Sequence, residues 1–450
     1  MKPTKIVDKI DKNSSYFCFK GLKNDGHDFI DEAIKKGCKL IYGTKDLKIK
    51  NYVKVNNIEE EYVKACQKFY HFSENKMKFI GITGTDGKTS CALIISKLLS
   101  CKEKVAYLGT SGFLINNQKI KDYSMTTPFA EDLYEAIEIA NQKKCKYFVM
   151  EVSSHALEQN RLGKNFKFEH VIFTNLTSEH LDFHHTIEIY LNAKKKILNH
   201  VLEENVIING DDKYFKSFIT NKMLTYGYQK ENKYQIKEVD LNIINTKFKY
   251  LNDNKITTIE MNLIAEFNVY NMLASIICIK SLGYNINDFK EEIKTINIEG
   301  RLEKYYNKNK PLVIIDFAHT PEAIEKVLKF IKEFNLKKMV IVNGCAGERD
   351  TIKRPIIGLI MEKYCDEIIL TTDDPRFEDV CEINKQIKKE MKKEPIEIID
   401  RKEAIKYGLK ITPKEGVLIL LGKGGQNVQY IKDKKVKYSE QETLKELLGE

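Results

Sequence analysis

Gly81-Ile-Thr-Gly84-Thr-Asp-Gly87-Lys88-Thr89-Ser90 decides how the rest of this chain is read. The apolar run from Met77 to Thr83 leads into it and reads as a buried strand, and the helix-forming stretch Cys91 to Leu99 leaves it. Strand, glycine-rich turn and helix start, in that order, build a phosphate cradle. Backbone N–H groups converge on the turn, the helix dipole favours an anion, and Lys88 reaches the outer phosphates. A hydroxyl from Thr89 or Ser90 is available to Mg²⁺. Strict phosphate-loop spacing asks for glycine where Ile82 stands, so the pattern is a variant. Its chemistry points to a nucleoside triphosphate.

With 450 residues, the chain exceeds one ordinary core and is expected to form several domains. Its longest apolar runs, such as Val417 to Leu421, are far too short to cross a membrane, and Met1 to Asn13 has no apolar signal core. Ten cysteines are scattered without a C-x-x-C pair, which argues against a zinc ribbon or a disulfide framework and fits a reducing cytoplasm. The net charge of +10 comes from dispersed lysines. That excess suits anionic small molecules, and no basic stripe interleaved with aromatics marks a nucleic-acid surface.

Three regions separate by pattern. Residues 1–75 carry strand-like runs at Tyr16 to Phe19 and Lys39 to Tyr42 around a helix-like Phe29 to Lys36, a small α/β unit. Residues 76–297 hold the phosphate loop and apolar strands at Tyr147 to Val152, His170 to Thr174 and Asn205 to Ile208, alternating with helices as in a mostly parallel sheet. Within them, Lys213 to Glu260 reads as a β-rich insertion. Residues 298–450 repeat the alternation, with strands at Leu312 to Asp316, Met339 to Asn343, Glu367 to Thr371, Ile396 to Ile399 and Val417 to Leu421, a second, Rossmann-like sheet. The expected fold class is therefore α/β in three domains.

Polar residues gather where strands end. Glu151 closes one strand beside the phosphate loop, where a carboxylate can hold Mg²⁺. Thr174-Asn-Leu-Thr-Ser-Glu179-His180-Leu-Asp182-Phe-His184 offers metal ligands, acid–base groups or merely a polar loop capping the next helix. In the last region Asp316-Phe-Ala-His319, Asn343 to Asp350, Thr371 to Arg376 and Gly422-Lys423-Gly424-Gly425 all follow strands. A parallel sheet would turn these four ends toward one crevice.

Taken together, these motifs resemble the Mur ligases, ATP-dependent amide-forming enzymes of peptidoglycan synthesis. The match is nearest to members that add the third residue to UDP-MurNAc-L-Ala-D-Glu, and it runs from about residue 16 to 430. The resemblance implies that Gly84, Thr85, Asp86, Gly87, Lys88, Thr89 and Ser90 hold ATP, with Asp86 where asparagine is usual. Asn268 and Asn271 would contact adenine, and Arg301, Asp316 and His319 would reach the nucleotide from the third domain, so that a complete site needs domain closure. It implies two Mg²⁺ ions served by Thr89, Glu151, His180 and a carbamylated Lys194. Lys88, Lys194, His180 and Glu151 are then the catalytic set. Thr126, Thr127, Ser153, Gln159 and Arg161 would grip the UDP-linked acceptor, and Arg349, Asp373, Asp374, Pro375, Arg376, Gly422 and Gln426 the incoming amino acid.

The chain also departs from the family. Ile6-Val7-Asp8 stands where an Asp-Ser-Arg turn helps hold uridine, and Met125 replaces an asparagine. Gln426 replaces a glutamate that binds the distal amino group in diaminopimelate-adding members, and Gly425 replaces its histidine neighbour. Asp374, where asparagine is usual, either restores that charge or pairs with Arg376. The paired forks of Arg349 and Arg376 favour an amino acid with two carboxylates, such as diaminopimelate, over lysine. The expected protein is a cytoplasmic monomeric enzyme acting on small molecules, without nucleic acid or membrane partners. Its rivals are a Mur-type ligase for another acceptor, a phosphate-loop switch, and a non-catalytic scaffold of the same fold.

Overall fold

A computed structural model describes all residues except 22, 23, 124, 178–180, 308 and 450, with the side chains of 181 and 182 also left aside. The chain divides into two compact units. The first comprises Met1–Glu238, Lys249–Thr258 and Phe267–Glu292, the second Val239–Phe248, Ile259–Glu266 and Ile293–Glu450.

The first unit holds two sheets. Strands Lys2–Thr4, Ser14–Phe17, Leu40–Gly43 and Tyr52–Lys54 pair in parallel in chain order. The larger sheet has Lys78–Thr83 at its centre, paired in parallel with Tyr147–Glu151 on one side and His170–Phe173 on the other. Every residue of Lys78–Thr83 after Lys78 is buried, as expected of a parallel strand covered on both faces. Val206–Asn209 and Leu224–Gly227 extend the parallel run, and Tyr234–Leu241 continues it. The segment expected to be a β-rich insertion begins as a continuation of the central sheet: its short alternating runs supply strands with one half-exposed face.

Helix Lys88–Ser100 follows the loop and is buried around nearly its whole circumference, from Thr89 to Leu99. That explains its almost continuous apolar sequence: a helix enclosed on all sides needs no polar stripe.

In the second unit the strand order is Glu303–Tyr305, Leu312–Asp316, Val417–Leu421, Met339–Asn343, Glu367–Leu370, Ile396–Glu397, parallel throughout except for the first pair. The last strand in sequence, Val417–Leu421, inserts beside the first parallel one. The carboxyl ends of the five parallel strands therefore lie on one edge, with Asp316 level with Leu421 and Asn343 level with Leu370. The four motif-bearing strand ends do share that edge.

Candidate active site

The phosphate loop is built by its glycines. Gly84 has φ +145°, and a Cβ there would lie 1.9 Å from Thr174 Oγ1; Gly87 has φ +81°, and a Cβ would lie 2.4 Å from Asn271 Oδ1. Any side chain would push the loop off its supports. Those supports are polar: Thr85 N donates to Asn175 O at 2.8 Å, Asp86 N to Asn175 Oδ1 at 2.9 Å, and Thr174 Oγ1 to Asp86 O at 2.6 Å. Neither Thr174 nor Asn175 was among the site residues expected from sequence. Their position directly after a strand was the available signal.

Lys88 folds back on the loop, donating from Nζ to Gly84 O at 2.9 Å and Thr85 O at 2.6 Å. Lys194, on helix Ile187–Lys195 and buried, donates to the same Gly84 oxygen at 2.7 Å, with its ammonium 4.4 Å from the Tyr190 ring centre. Two ammonium groups thus meet on one carbonyl oxygen of the loop.

Glu151 is fully buried at the end of its strand, level with Ile82. Four donors converge on its carboxylate: Tyr107 OH at 2.6 Å and Thr110 N at 2.8 Å on Oε1, Thr89 Oγ1 at 3.0 Å and Thr110 Oγ1 at 3.2 Å on Oε2. Burial, followed by the Glu151 charge, drives the Tyr107 hydroxyl far above its ordinary pKa, so it stays a donor. Thr89 and Glu151, expected together at a metal, do meet. Tyr107 and Thr110 orient the carboxylate and had no motif to announce them. His180 lies outside the described residues. Among the described residues no group of three His, Cys, Asp or Glu side chains is arranged around a metal-sized space.

Asn268 and Asn271 lie on one face of helix Glu266–Ser281, joined by a 3.1 Å hydrogen bond, and Asn271 backs Gly87.

The expected acceptor residues form one patch. Thr127 Oγ1 donates to Glu151 O at 2.8 Å and accepts from Ser153 N at 2.9 Å, tying Thr127 and Ser153 to the metal-side strand. Arg161 donates to Gln159 Oε1 through Nε at 3.0 Å and Nη2 at 2.7 Å, and to Thr127 O through Nη1. Thr126 joins through its hydroxyl, 3.2 Å from Thr110 Oγ1.

In the second unit, Asp316 accepts from Leu302 N and Ala318 N, each at 2.8 Å. Its carboxyl is raised by burial, against the pull of Arg301. Arg301 lies 4.7 Å above the Phe317 ring, and His319 stacks edgewise on that ring, so the three expected nucleotide residues cluster.

The amino-acid region brings a correction. Asp374 pairs neither with Arg376 nor with open space. Its Oδ1 accepts from Lys423 Nζ at 2.7 Å and Tyr430 N at 3.0 Å. Lys423 is completely buried, donates to Gln426 Oε1 at 2.9 Å, and lies 3.7 Å from Asp373. A buried ammonium gathers every nearby oxygen, and this outweighs a surface pairing with Arg376. Arg376 instead stacks 5.7 Å from the Tyr430 ring at φ +53°. Arg349 is exposed, on a loop held by the fully buried Arg354, which donates to Ala346 O at 3.1 Å and to Glu378 at 2.7 Å. Gly422 faces Asp373, whose Oδ2 would lie 2.7 Å from a Cβ there, and Pro375 O packs against Gly347.

Three family models match the chain: the Mur ligase family catalytic domain at residues 8–73, the Mur ligase middle domain at 82–279, and the Mur ligase glutamate ligase domain at 300–424. The chain is 35% identical to a UDP-N-acetylmuramoyl-L-alanyl-D-glutamate–2,6-diaminopimelate ligase of Clostridium perfringens, over 98% of this chain and 93% of that one. It is 36% identical to the protein of the same name from Caldanaerobacter subterraneus, over 97% and 92%. A solved structure of a ligase so named superposes with a TM-score of 0.71 at 25% identity, covering 99% of this chain and 94% of that one. A MurF ligase from Thermotoga maritima, solved in complex with ADP, shares the fold at TM-score 0.63 and 19% identity, with 93% of each chain covered.

Proposed function

The chain belongs to the Mur ligase family, and on that premise we propose that it adds a diaminopimelate-like amino acid to UDP-MurNAc-L-Ala-D-Glu at the expense of ATP. The observation that carries this reading is the near-full-length identity to diaminopimelate ligases. An intact phosphate cradle, braced by Glu151 and surmounted by two lysines, supports it. The γ-phosphoryl group of ATP passes to a carboxylate of the acceptor, giving an acyl phosphate and ADP. The amine of the incoming amino acid then attacks the acyl carbon, loses a proton, and expels phosphate as the amide forms.

In that sequence Lys88 and the loop N–H groups hold the charge that develops on the transferred phosphoryl. Thr127, Ser153, Gln159 and Arg161 orient the acceptor. Arg349, Arg376, Asp373 and Gly422 receive the amino acid. The oxygen donors Thr89 and Glu151 suit a hard cation, with His180 and a carbamylated Lys194 completing the set for two Mg²⁺ ions. Bound Mg²⁺ supplies charge neutralisation at the phosphates. Lys194 as a bare ammonium does not fit a cation site. The neutral amine of a lysine is the form that takes up CO₂ to give the carbamate, an anionic oxygen ligand. Lys194→Ala then loses activity by about 10²-fold, with partial recovery in acetate or formate, which replace the missing carboxylate; full activity without rescue contradicts the modification.

We take residues 1–75, 76–297 and 298–450 as the three domains of a cytoplasmic monomer. Among the described residues no helix is long and apolar enough to cross a membrane. The deciding experiment is phosphate release with UDP-MurNAc-L-Ala-D-Glu and a panel of amino acids. Release that requires both the acceptor and diaminopimelate supports the proposal. Turnover indifferent to both points to a switch, silence under every condition to a scaffold, and a strong preference for lysine revises the amino acid.

A further inference from the structure

Phe129, one residue beyond Thr126-Thr127-Pro128, carries two cations on one ring. Lys5 Nζ lies 3.0 Å from its centroid and the Arg161 guanidinium carbon 4.3 Å from it. The two charges are therefore no further apart than those two distances together allow. Lys5 reaches this ring from far upstream in the sequence, just after strand Lys2–Thr4. Its backbone is pinned there by the buried Thr4, whose Oγ1 accepts from Ile6 N at 3.1 Å.

Among the described residues neither cation has a carboxylate within ion-pair distance. Arg161 is buried and spends its donors on neutral acceptors only: Gln159 Oε1, the Thr127 carbonyl and Met125 Sδ. Glu131, whose charge acts on Lys5, is engaged by Lys9 at 3.6 Å and by the Tyr62 hydroxyl at 3.1 Å. Burial first, then Arg161, bring the Lys5 ammonium down to about 8, while Glu131 and Asp132 pull the other way. Burial alone brings Arg161 down to about 10. An aromatic face and the more distant Glu131 and Asp132 charges offset part of this cost, but two partly desolvated cations without a directly paired anion remain incomplete.

We propose that Lys5 belongs to the acceptor site, forming with Arg161 a two-cation subsite floored by the Phe129 ring for an anionic group of the UDP-linked acceptor. The inference rests on the acceptor reading given above. The shared chemistry is an oxyanion, which the acceptor offers twice, in its diphosphate and in its peptide carboxylates. Lys5 would thereby supply a cation beside Ile6-Val7-Asp8, where the chain departs from its family.

Calorimetric titration of the full-length protein and its Lys5→Met, Lys5→Gln and Lys5→Arg variants tests this, with UDP-MurNAc-L-Ala-D-Glu, UDP and a non-hydrolysable ATP analogue as ligands. Removing the charge should weaken acceptor binding by about tenfold or more. Lys5→Arg should restore it to within a few-fold, and the ATP analogue should bind all four proteins alike. A parallel loss with UDP identifies the diphosphate as the bound group; a loss confined to the full acceptor identifies a carboxylate. Unchanged acceptor affinity in both neutral variants, where the wild type binds, overturns the Lys5 proposal alone. A wild type that binds neither acceptor nor UDP overturns the acceptor reading and this subsite with it.

Discussion

The phosphate loop of the first unit and the amino-acid region of the second solve opposite electrostatic problems. At the loop, Lys88 and Lys194 both rest on the carbonyl oxygen of Gly84, and the Glu151 carboxylate, joined to the loop through Thr89, is met by four donors. Among the described residues Lys88 meets carbonyl oxygens and no carboxylate, which leaves its charge for a ligand to answer. In the second unit Lys423 is surrounded by Asp373, Asp374 and Gln426, and the buried Arg401 by Glu440 at 2.5 Å and the carbonyls of Thr372 and Leu421. Those charges answer one another. The first region is prepared for an anion, whereas the second spends its buried charge on holding three loops in register.

Changes at lysine should therefore have different consequences in the two places. Lys88→Met should lower kcat by about 10³-fold, the scale of losing a charge stabiliser in phosphoryl transfer, with the melting temperature unchanged. Coupled phosphate-release kinetics and calorimetry read both, and a large fall in stability would show that Lys88 also holds the fold.

Lys423→Met should do the reverse. It leaves two carboxylates buried without their cation and should cost about 3 kcal/mol of stability. Adding Asp374→Asn should return most of it. Denaturant melts check this, and a single variant as stable as the wild type would mean that Lys423 does not neutralise the pair.

The smallest effect concerns Asp373, whose carboxyl burial raises despite Arg401 and Lys423. The folded chain keeps this proton longer than the unfolded one. Stability present at acid pH is therefore lost as pH rises from about 4, the unfolded aspartate value, through the folded value. Asp373→Asn should flatten that decline and be slightly more stable than the wild type at neutral pH, while losing amino-acid binding. A pH series of melts on both proteins measures the difference; parallel curves would remove Asp373 as the source.

Much of this was legible in the amino-acid order. Lys78–Thr83, Leu312–Asp316, Met339–Asn343 and Val417–Leu421 are short runs with apolar interiors, ended or followed by glycine or charge. A strand buried on both faces has no other way to be written. The phosphate loop was readable because its glycines and lysine are neighbours in sequence. Thr127, Ser153, Gln159 and Arg161 were readable only through family resemblance, since their pattern alone names no chemistry. The continuation of the central sheet through Leu224–Gly227 and Tyr234–Leu241 was not legible, because an alternating strand can pair with its own hairpin or with an existing edge.

By itself, then, the sequence determined three α/β units, the two larger ones with their reactive residues at the carboxyl ends of strands, because burial and local turn chemistry act over a few residues. Only the tertiary structure decided the charge partners: Asp374 with Lys423 rather than Arg376, Tyr107 and Thr110 on Glu151, and Lys5 with Arg161 over Phe129. Those partners lie tens to more than a hundred positions apart. Which opposite or like charges meet depends on how desolvation and distance balance once the chain is packed, and no local pattern encodes that balance.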